Sequence, residues 1–290
     1  MTDLQRAVAF EEALRDRCAE RIVPFEWGTA VFNESLPRVW DLNVLRVDRP
    51  GGATAEALSA EADRLQGRAG LLHRRVSIVG EAAGAELAPG FHALGWTVNR
   101  FLYMAHSRPA ARPADLGLVR EVDRAAVEPL RKEVIREQPW GRDPQVVRQM
   151  VAAGRLVAAA GNARHFAVVV DGVVASCADL YSDGKTGQVE DVATLAAHRG
   201  RGYATAVVLR ALEESVRGGH TLIFLVADDE DWPKELYARL GFDPLGRRYV
   251  FLKPPATRAP AGRRRATADL SKRAGRGRPR ARSGRARPPS

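Results

Sequence analysis

The segment VEDVATLAAHRGRGYATAVVLRAL, residues 189–212, contains the pattern that decides the fold. Its first seven residues predict a β-strand and its C-terminal part predicts an α-helix. Between the two lies a joint with two glycines, Gly200 and Gly202, and two arginines, Arg199 and Arg201. The first turn of a helix has backbone N–H groups without internal partners, and the helix dipole favours an anion there. Because glycine also lets a ligand approach the backbone closely, the joint is suited to binding a diphosphate.

The composition is that of a globular protein with room for two domains. The chain has 290 residues, of which 45% are hydrophobic. Only two cysteines occur, Cys18 and Cys177, so neither a disulfide framework nor a CxxC metal site is expected. The N-terminus has acidic residues in place of the apolar core of a secretory signal, and no apolar run approaches the length of a membrane span. These features predict a cytoplasmic protein without membrane association.

The net charge of +10 is confined to the C-terminal residues 254–290. This segment, here called the basic tail, contains 12 of the 45 basic residues and one of the 35 acidic residues, which leaves 33 basic and 34 acidic residues elsewhere. Since it has almost no large apolar side chains, the basic tail is predicted to be disordered. It could contact nucleic acid weakly through its charge, or it could be a solvated terminus of biased composition.

The order of elements predicts an α+β fold with two domains. Residues 1–106 form the first domain, residues 107–116 (rich in Pro and Ala) a linker, and residues 117–253 the second domain. In the second domain, two helices precede an antiparallel meander with Asp-Gly turns at 171–172 and 183–184, followed by a strand–helix–strand crossover.

The ends of the two halves resemble each other. GFHALGWTVNRFLYM (90–104) and LYARLGFDPLGRRYVFL (236–252) both contain a helix, then Leu-Gly-aromatic, then a strand with an Arg-aromatic pair. This similarity predicts duplication of one fold. The alternative is coincidence, because a helix that ends in Leu-Gly and precedes a strand is common.

The spacing of the residues within the joint shows which of several phosphate-binding motifs it matches. No Gly-Lys-Ser/Thr follows the glycines, and the sequence is not GxGxxG. It matches Arg/Gln-x-x-Gly-x-Gly/Ala, with Arg199, Gly202 and Ala204 in the fixed places. Together with LYARLGF at 236–242, residues 117–253 resemble the GNAT superfamily of acyl-CoA-dependent N-acyltransferases. One departure is Ala196, where this family often has Pro.

The resemblance implies how acetyl-CoA binds, as cosubstrate and without a metal. Backbone N–H groups of residues 199–204 hold the pyrophosphate, and strand residues 192–194 pair with the pantetheine arm. The N–H of Thr194 or Leu195 faces the thioester oxygen as an oxyanion stabiliser. The residues expected to contact the coenzyme are Val192, Ala193, Thr194, Leu195, Arg199, Gly200, Arg201, Gly202, Tyr203 and Ala204.

Two side chains are candidates for proton transfer. Tyr237, in LYARLGF, matches the tyrosine with which the family protonates the departing thiolate; the alternative is a packing tyrosine at a helix end. Glu190 is the candidate base that deprotonates the amine, or a carboxylate that pairs with a neighbour. Strand alternation places Asp191 on the opposite face from Glu190.

The N-terminal half lacks these features, and the resemblance therefore implies a degenerate GNAT-like module. RPGGATAEAL, residues 49–58, does not match the loop pattern, and Phe91 stands where the second half has Tyr237. The module is expected to support the catalytic domain and to wall off the acceptor site. Acceptor contacts are expected from residues 132–143, with Trp140 and Arg142 as candidates.

The sequence as a whole predicts an N-acetyltransferase that moves an acetyl group directly to a primary amine on a small molecule or a protein. A monomer or a homodimer fits this prediction. The alternative is a non-catalytic protein, either a CoA-binding sensor or a nucleic-acid-associated factor acting through the basic tail.

Overall fold

The computed structural model of the chain describes residues 1–255. The predictions for the basic tail concern residues 256–290, apart from its first two prolines, and lie outside this range. Within residues 1–255, no helix has both the length and the apolar character that crossing a bilayer requires.

Seven helices and eleven strands form in the described range. The helices are α1 (Asp3–Arg17), α2 (Ala55–Arg68), α3 (Glu81–Ala93), α4 (Arg124–Glu137), α5 (Pro144–Ala160), α6 (Tyr203–Arg217) and α7 (Pro233–Arg239). The strands are β1 (Arg21–Phe25), β2 (Gly28–Phe32), β3 (Val44–Val47), β4 (Arg74–Val79), β5 (Thr97–His106), β6 (Val119–Val122), β7 (Arg164–Val170), β8 (Val173–Ser182), β9 (Thr186–Thr194), β10 (Leu222–Asp228) and β11 (Phe242–Lys253).

The strands join in one mixed sheet with the order β1-β2-β3-β4-β11-β5-β10-β9-β8-β7-β6. Neighbouring strands are antiparallel except for β3 with β4 and β9 with β10, which are parallel. The predicted α+β class with a mixed, mostly antiparallel sheet is therefore confirmed. The first Asp-Gly turn is also found: Asp171 and Gly172 have φ of 50° and 78°, as the two-residue turn of a β-hairpin requires.

The last strands of the two halves have exchanged places. β5, from the first half, lies between β10 and β11, whereas β11, from the second half, lies between β4 and β5. The helices that lead into them end alike: Gly95 and Gly241 have φ of 76° and 92°, and the following Trp96 and Phe242 are buried. These similar corners agree with the predicted duplication, in an arrangement where the final strand of each half lies among the strands of the other.

This exchange makes each half complete the core of the other. Phe251 of β11 stacks on Phe91 of α3, with ring centroids 4.0 Å apart, inside the core of the first half. Leu102 and Met104 of β5 belong to the core of the second half. Residues 1–255 form one compact unit, and the division at residues 107–116 stays a prediction.

Candidate active site

The parallel strands β9 and β10 separate part of the way along. They pair only from Thr186–Gln188 against Leu222–Phe224, whereas β9 continues to Thr194 with β8 on its other side. Within the described sheet, the edge of residues 189–194 that faces β10 therefore has no strand partner. Such an edge offers backbone donors and acceptors to an extended ligand.

The alternation of hydrogen-bonded and non-hydrogen-bonded pairs between β8 and β9 identifies which N–H group faces this open edge. The N–H of Leu195 donates to the carbonyl of Ala175 at 2.9 Å, which makes these two a hydrogen-bonded pair. The next pair, Thr194 with Ser176, is therefore a non-hydrogen-bonded pair, and the N–H of Thr194 points away from β8. Of the two predicted oxyanion donors, Thr194 is available, whereas the N–H of Leu195 is already in use.

The loop before α6 presents a row of unpaired N–H groups. Gly200 and Gly202 have φ of 76° and 79°, a backbone region that residues other than glycine and asparagine rarely adopt. No side chain caps α6. Among the described residues, no acceptor lies on the N–H groups of residues 200–205, whereas Arg199 donates its N–H to Ala196 at 3.3 Å. The anion site predicted at residues 199–204 therefore begins at Gly200.

The two arginines of the loop differ in their contacts. The side chain of Arg199 bonds Glu137 of α4 at 2.5 Å and the carbonyl of Thr194 at 3.2 Å. Its charge is thus paired and ties the loop to α4. Arg201 is exposed, and it supplies the free positive charge beside the row of N–H groups.

A cavity of about 530 Å³ lies at the junction of the two halves, beside the splayed part of β9. One wall is apolar and comes from α1, α5 and the segment before β3, with Leu14, Leu42 and Met150. The charged residues of the lining include Glu190, Asp191 and several arginines. Within residues 1–255, no group of three or more His, Cys, Asp or Glu side chains is arranged to hold a metal ion.

A β-bulge brings Asp191 to the same cavity as Glu190. Asp179 of β8 pairs with Glu190, but Cys177 pairs with Ala193, so one extra residue is inserted in β9. Asp191 has φ of 55° at this point, and it contacts Arg131 at 3.2 Å. The prediction that Asp191 faces the opposite side from Glu190 was wrong, because alternation fails at a bulge.

The environment of Glu190 favours its protonated form. Its carboxylate accepts a hydrogen bond from Gln188 at 2.7 Å. Burial, together with the negative charges of Asp191 and Glu11, raises the pKa of Glu190 from 4.5 to about 8. A carboxyl group with such a pKa changes its protonation state near neutral pH, as a general base requires.

The first half contributes a buried ion pair to this wall. Glu11 of α1 lies 2.8 Å from Arg248 of β11 and accepts a hydrogen bond from Tyr103 of β5 at 2.5 Å. Gln188 also reaches Glu11, at 3.4 Å. Burial raises the pKa of Glu11, but Arg248 and Arg15 outweigh it and the pKa is lowered, so Glu11 stays ionised. Sequence reasoning missed these groups, although the position of Gln188 two residues before Glu190 indicates a shared strand face.

Tyr237 is 9% exposed and packs against Phe242, with ring centroids 6.4 Å apart. Burial and the charge of Glu190 raise the pKa of its phenol. Within the described residues its hydroxyl makes no hydrogen bond. The phenol therefore remains protonated at neutral pH and is free to donate.

The predicted acceptor segment, residues 132–143, is only partly at the cavity. Val134 and Ile135 of α4 line it, but Trp140 and Arg142 do not. Trp140 is 43% exposed in a short 3-10 turn after α4. The charged residues that α4 contributes to the cavity, Arg124, Glu128 and Arg131, all precede the segment.

Comparisons with known proteins agree with this geometry. Residues 128–242 match the sequence model of the Acetyltransferase (GNAT) family. Among curated proteins, none matches the sequence. A similar solved structure is a GCN5-related N-acetyltransferase from Kribbella flavida, with 21% identity over 87% of this chain and 95% of that chain and a TM-score of 0.57.

Two further structures extend the similarity across both halves. A functionally unknown conserved protein from Staphylococcus epidermidis has 14% identity over 82% of this chain and 95% of that chain, with a TM-score of 0.63. A tandem GNAT protein from the clavulanic acid biosynthesis pathway has 20% identity over 74% and 76% of the two chains, with a TM-score of 0.51. At these identities the structures show the shared fold, and the family match adds the segment with the loop and Tyr237. Residues 128–242 therefore form an acetyltransferase domain of the GNAT family of acyl-CoA-dependent N-acyltransferases.

Proposed function

We propose that this protein transfers the acetyl group of acetyl-CoA directly to the primary amine of a small molecule. One observation carries the proposal: the open edge of β9 has unpaired N–H groups at one end and Glu190, on the cavity wall, at the other. A diphosphate at the first end and a reacting amine at the second are what an acyl-CoA transferase must bring together.

The backbone would provide most of the coenzyme binding. The N–H groups of residues 200–205 would hold the pyrophosphate, with Arg201 beside them. Val192, Ala193 and Thr194 would pair with the amide groups of the pantetheine arm as a neighbouring strand does. The N–H of Thr194 would point at the thioester oxygen, a position in which one donor is worth roughly 10²–10³ in rate.

Glu190 and Tyr237 would divide the two proton movements. Glu190 takes a proton from the acceptor ammonium, and the freed nitrogen lone pair attacks the thioester carbon. As the carbon–sulfur bond breaks, Tyr237 donates its proton to the departing thiolate, and the nitrogen releases its second proton to solvent, which leaves a neutral amide. The proton held by Glu190 then returns to Tyr237 through solvent, and the site is restored.

The first half would act as a degenerate module within residues 1–106. Its helix α2 is capped by Thr54, whose side chain accepts a hydrogen bond from the N–H of Ala57 at 3.2 Å, whereas no side chain caps α6. Phe91, in the place of Tyr237, is fully buried. These differences support a single coenzyme site.

The cavity supports a small-molecule acceptor over a protein amine, since about 530 Å³ suits a compact ligand. The cysteines Cys18 and Cys177 are free and buried, which fits the predicted cytoplasmic location. The nucleic-acid alternative rests on the basic tail and stays a prediction.

Calorimetric titration with acetyl-CoA tests the coenzyme site. Gly202→Glu should abolish binding because it places a carboxylate at the row of N–H groups. Gly184→Glu is the matched control: Gly184 has φ of 87°, also has open space around it, and lies at the other end of β9. Equal binding by the wild-type protein and Gly202→Glu would refute the assignment. Binding without acetyl transfer to any of a panel of amines would favour a CoA sensor.

A further inference from the structure

Arg124, the first residue of α4, has an unusual position on the cavity wall. It lines the cavity, and its side chain is 19% exposed. Across the described part of the chain, no nitrogen of its guanidinium makes a hydrogen bond, and its Nε and Nη1 atoms are buried. Buried donors of this kind are costly to leave unpaired, which points to a partner that arrives from outside the protein.

The acids near Arg124 form no hydrogen bond with it. The Oδ2 of Asp179 lies 3.8 Å from its Nη1 and has no hydrogen-bond partner among the described residues, whereas the Oδ1 contacts Arg131 and His165, each at 2.7 Å. Glu128, one turn further along α4, pairs with Arg155 at 2.7 Å and with Lys132 at 2.9 Å. Neither acid gives Arg124 the two parallel hydrogen bonds that a guanidinium forms with a carboxylate.

A glycine in the facing helix keeps the guanidinium where it is. A Cβ at Gly154, within α5, would lie 2.5 Å from the Nη2 of Arg124. Glycine inside a helix is less favourable than alanine. Here it leaves the room that the guanidinium occupies at the cavity.

Arg124 and the candidate base are connected through neighbouring strands. Asp179, which Arg124 approaches, lies directly opposite Glu190 in the β8–β9 ladder. Arg124 and Glu190 both line the one cavity. An unpaired guanidinium and a base for an amine are therefore presented to the same small ligand.

We infer that the acceptor is an amine that also carries a carboxylate, such as an amino acid or a compound that ends in one. Arg124 binds the carboxylate through two parallel hydrogen bonds, and the amine lies toward Glu190. The apolar wall of Leu14, Leu42 and Met150 takes the rest of the molecule. This inference rests on the proposed function and specifies its acceptor class.

The test uses pairs of acceptors that differ only in the carboxylate. Apolar amino acids and dipeptides are assayed with acetyl-CoA, each beside the same amine without the carboxylate (leucine beside 3-methylbutylamine), by release of the free thiol. At least one carboxylate-bearing member should have a kcat/KM about tenfold or more above its partner. Arg124→Gln should raise KM for that acceptor by about 10- to 100-fold, while kcat/KM for the partner amine and the Kd for acetyl-CoA stay unchanged.

A second variant separates the role of Arg124 from its effect on folding. Gly154→Ala favours the helix but displaces the guanidinium, so it should raise the same KM without lowering the melting temperature. Equal or better use of the carboxylate-free amines overturns the inference, as does acetyl-CoA binding without turnover of any carboxylate-bearing amine. Absence of acetyl-CoA binding by the wild-type protein overturns the proposed function itself.

Discussion

Replacement of Glu190 by glutamine tests the electrostatics of the site through stability as well as through activity. The pKa of Glu190 is raised from 4.5 to about 8 in the folded protein, by burial first and then by Asp191 and Glu11. The folded state therefore holds this proton more tightly than the unfolded chain does. The resulting stability is fully present below pH 4.5 and is lost as the pH rises through 8.

The size of this effect follows from the two pKa values. At 1.36 kcal/mol per pH unit, the stability lost between pH 4.5 and 8 is at most roughly 5 kcal/mol, and water in the cavity reduces it. Glu190→Gln removes the ionisation, so its stability relative to the wild-type protein should increase from pH 6 to pH 9. At about 2–4 °C per kcal/mol, the melting temperature of the variant minus that of the wild-type protein should increase by several degrees between pH 6 and pH 9.

Thermal unfolding at pH 6 and pH 9 measures this difference. Glu133→Gln is the control, since Glu133 is an exposed acid of α4 outside the cavity, and its difference from the wild-type protein should be the same at both pH values. In the wild-type protein kcat/KM should increase with pH, with a midpoint near pH 8. In Glu190→Gln this increase should be absent and the rate should be lower by about 10²–10⁴. Asp191→Asn, which tolerates the positive φ, should move the rise to lower pH. A constant melting difference between Glu190→Gln and the wild-type protein would refute the reasoning.

Two other substitutions test the second proton and the exchanged strands. Tyr237→Phe should lower kcat about 10- to 100-fold, with the Kd for acetyl-CoA unchanged, because it removes only a proton donor. The control Tyr249→Phe, which loses a hydrogen bond to Glu81, should keep the wild-type kcat. An unchanged kcat in Tyr237→Phe would exclude Tyr237 as the proton donor to the thiolate. Phe251→Ala should destabilise the protein by about 3–5 kcal/mol, and hydrogen exchange should show reduced protection in β10 as well as in β4. The control Val216→Ala, at an exposed site on α6, should change stability by less than about 0.5 kcal/mol. If Phe251→Ala reduced protection in β4 alone, the two halves would unfold separately.

Local patterns in the sequence were sufficient for the elements and for the conformation of the loop before α6. The two glycines before α6, the Asp-Gly hairpin and the repeated Leu-Gly-aromatic corner each depend on residues close together in the chain, whose backbone preferences are strong. Strand order depends instead on which edges meet after folding. An exchange of β5 with β11 leaves the hydrophobic pattern of both strands unchanged, so the sequence could not indicate it.

The bulge in β9 illustrates a second limit. Alternation along a strand assigns faces correctly only while the register holds. Asp191 is a residue type that tolerates positive φ, but nothing in VEDVAT separates a bulged Asp from a regular one. The second carboxylate of the site therefore lies on the face that alternation excludes, and alternation does not predict its effect on the pKa of Glu190.

The exchanged strands also change what the first half does for the second. A half that only shielded the acceptor would contribute surface to the cavity, and any apolar helix could replace it. Instead, Glu11 of the first half adds its negative charge beside Glu190, and it stays ionised because Arg248 reaches it from the exchanged β11. Because this pair forms only when both halves have folded together, the protonation of the candidate base depends on the fold of the whole unit. The first half, which lacks the loop pattern of residues 199–204, is thus necessary to the electrostatics of the candidate site in the second half.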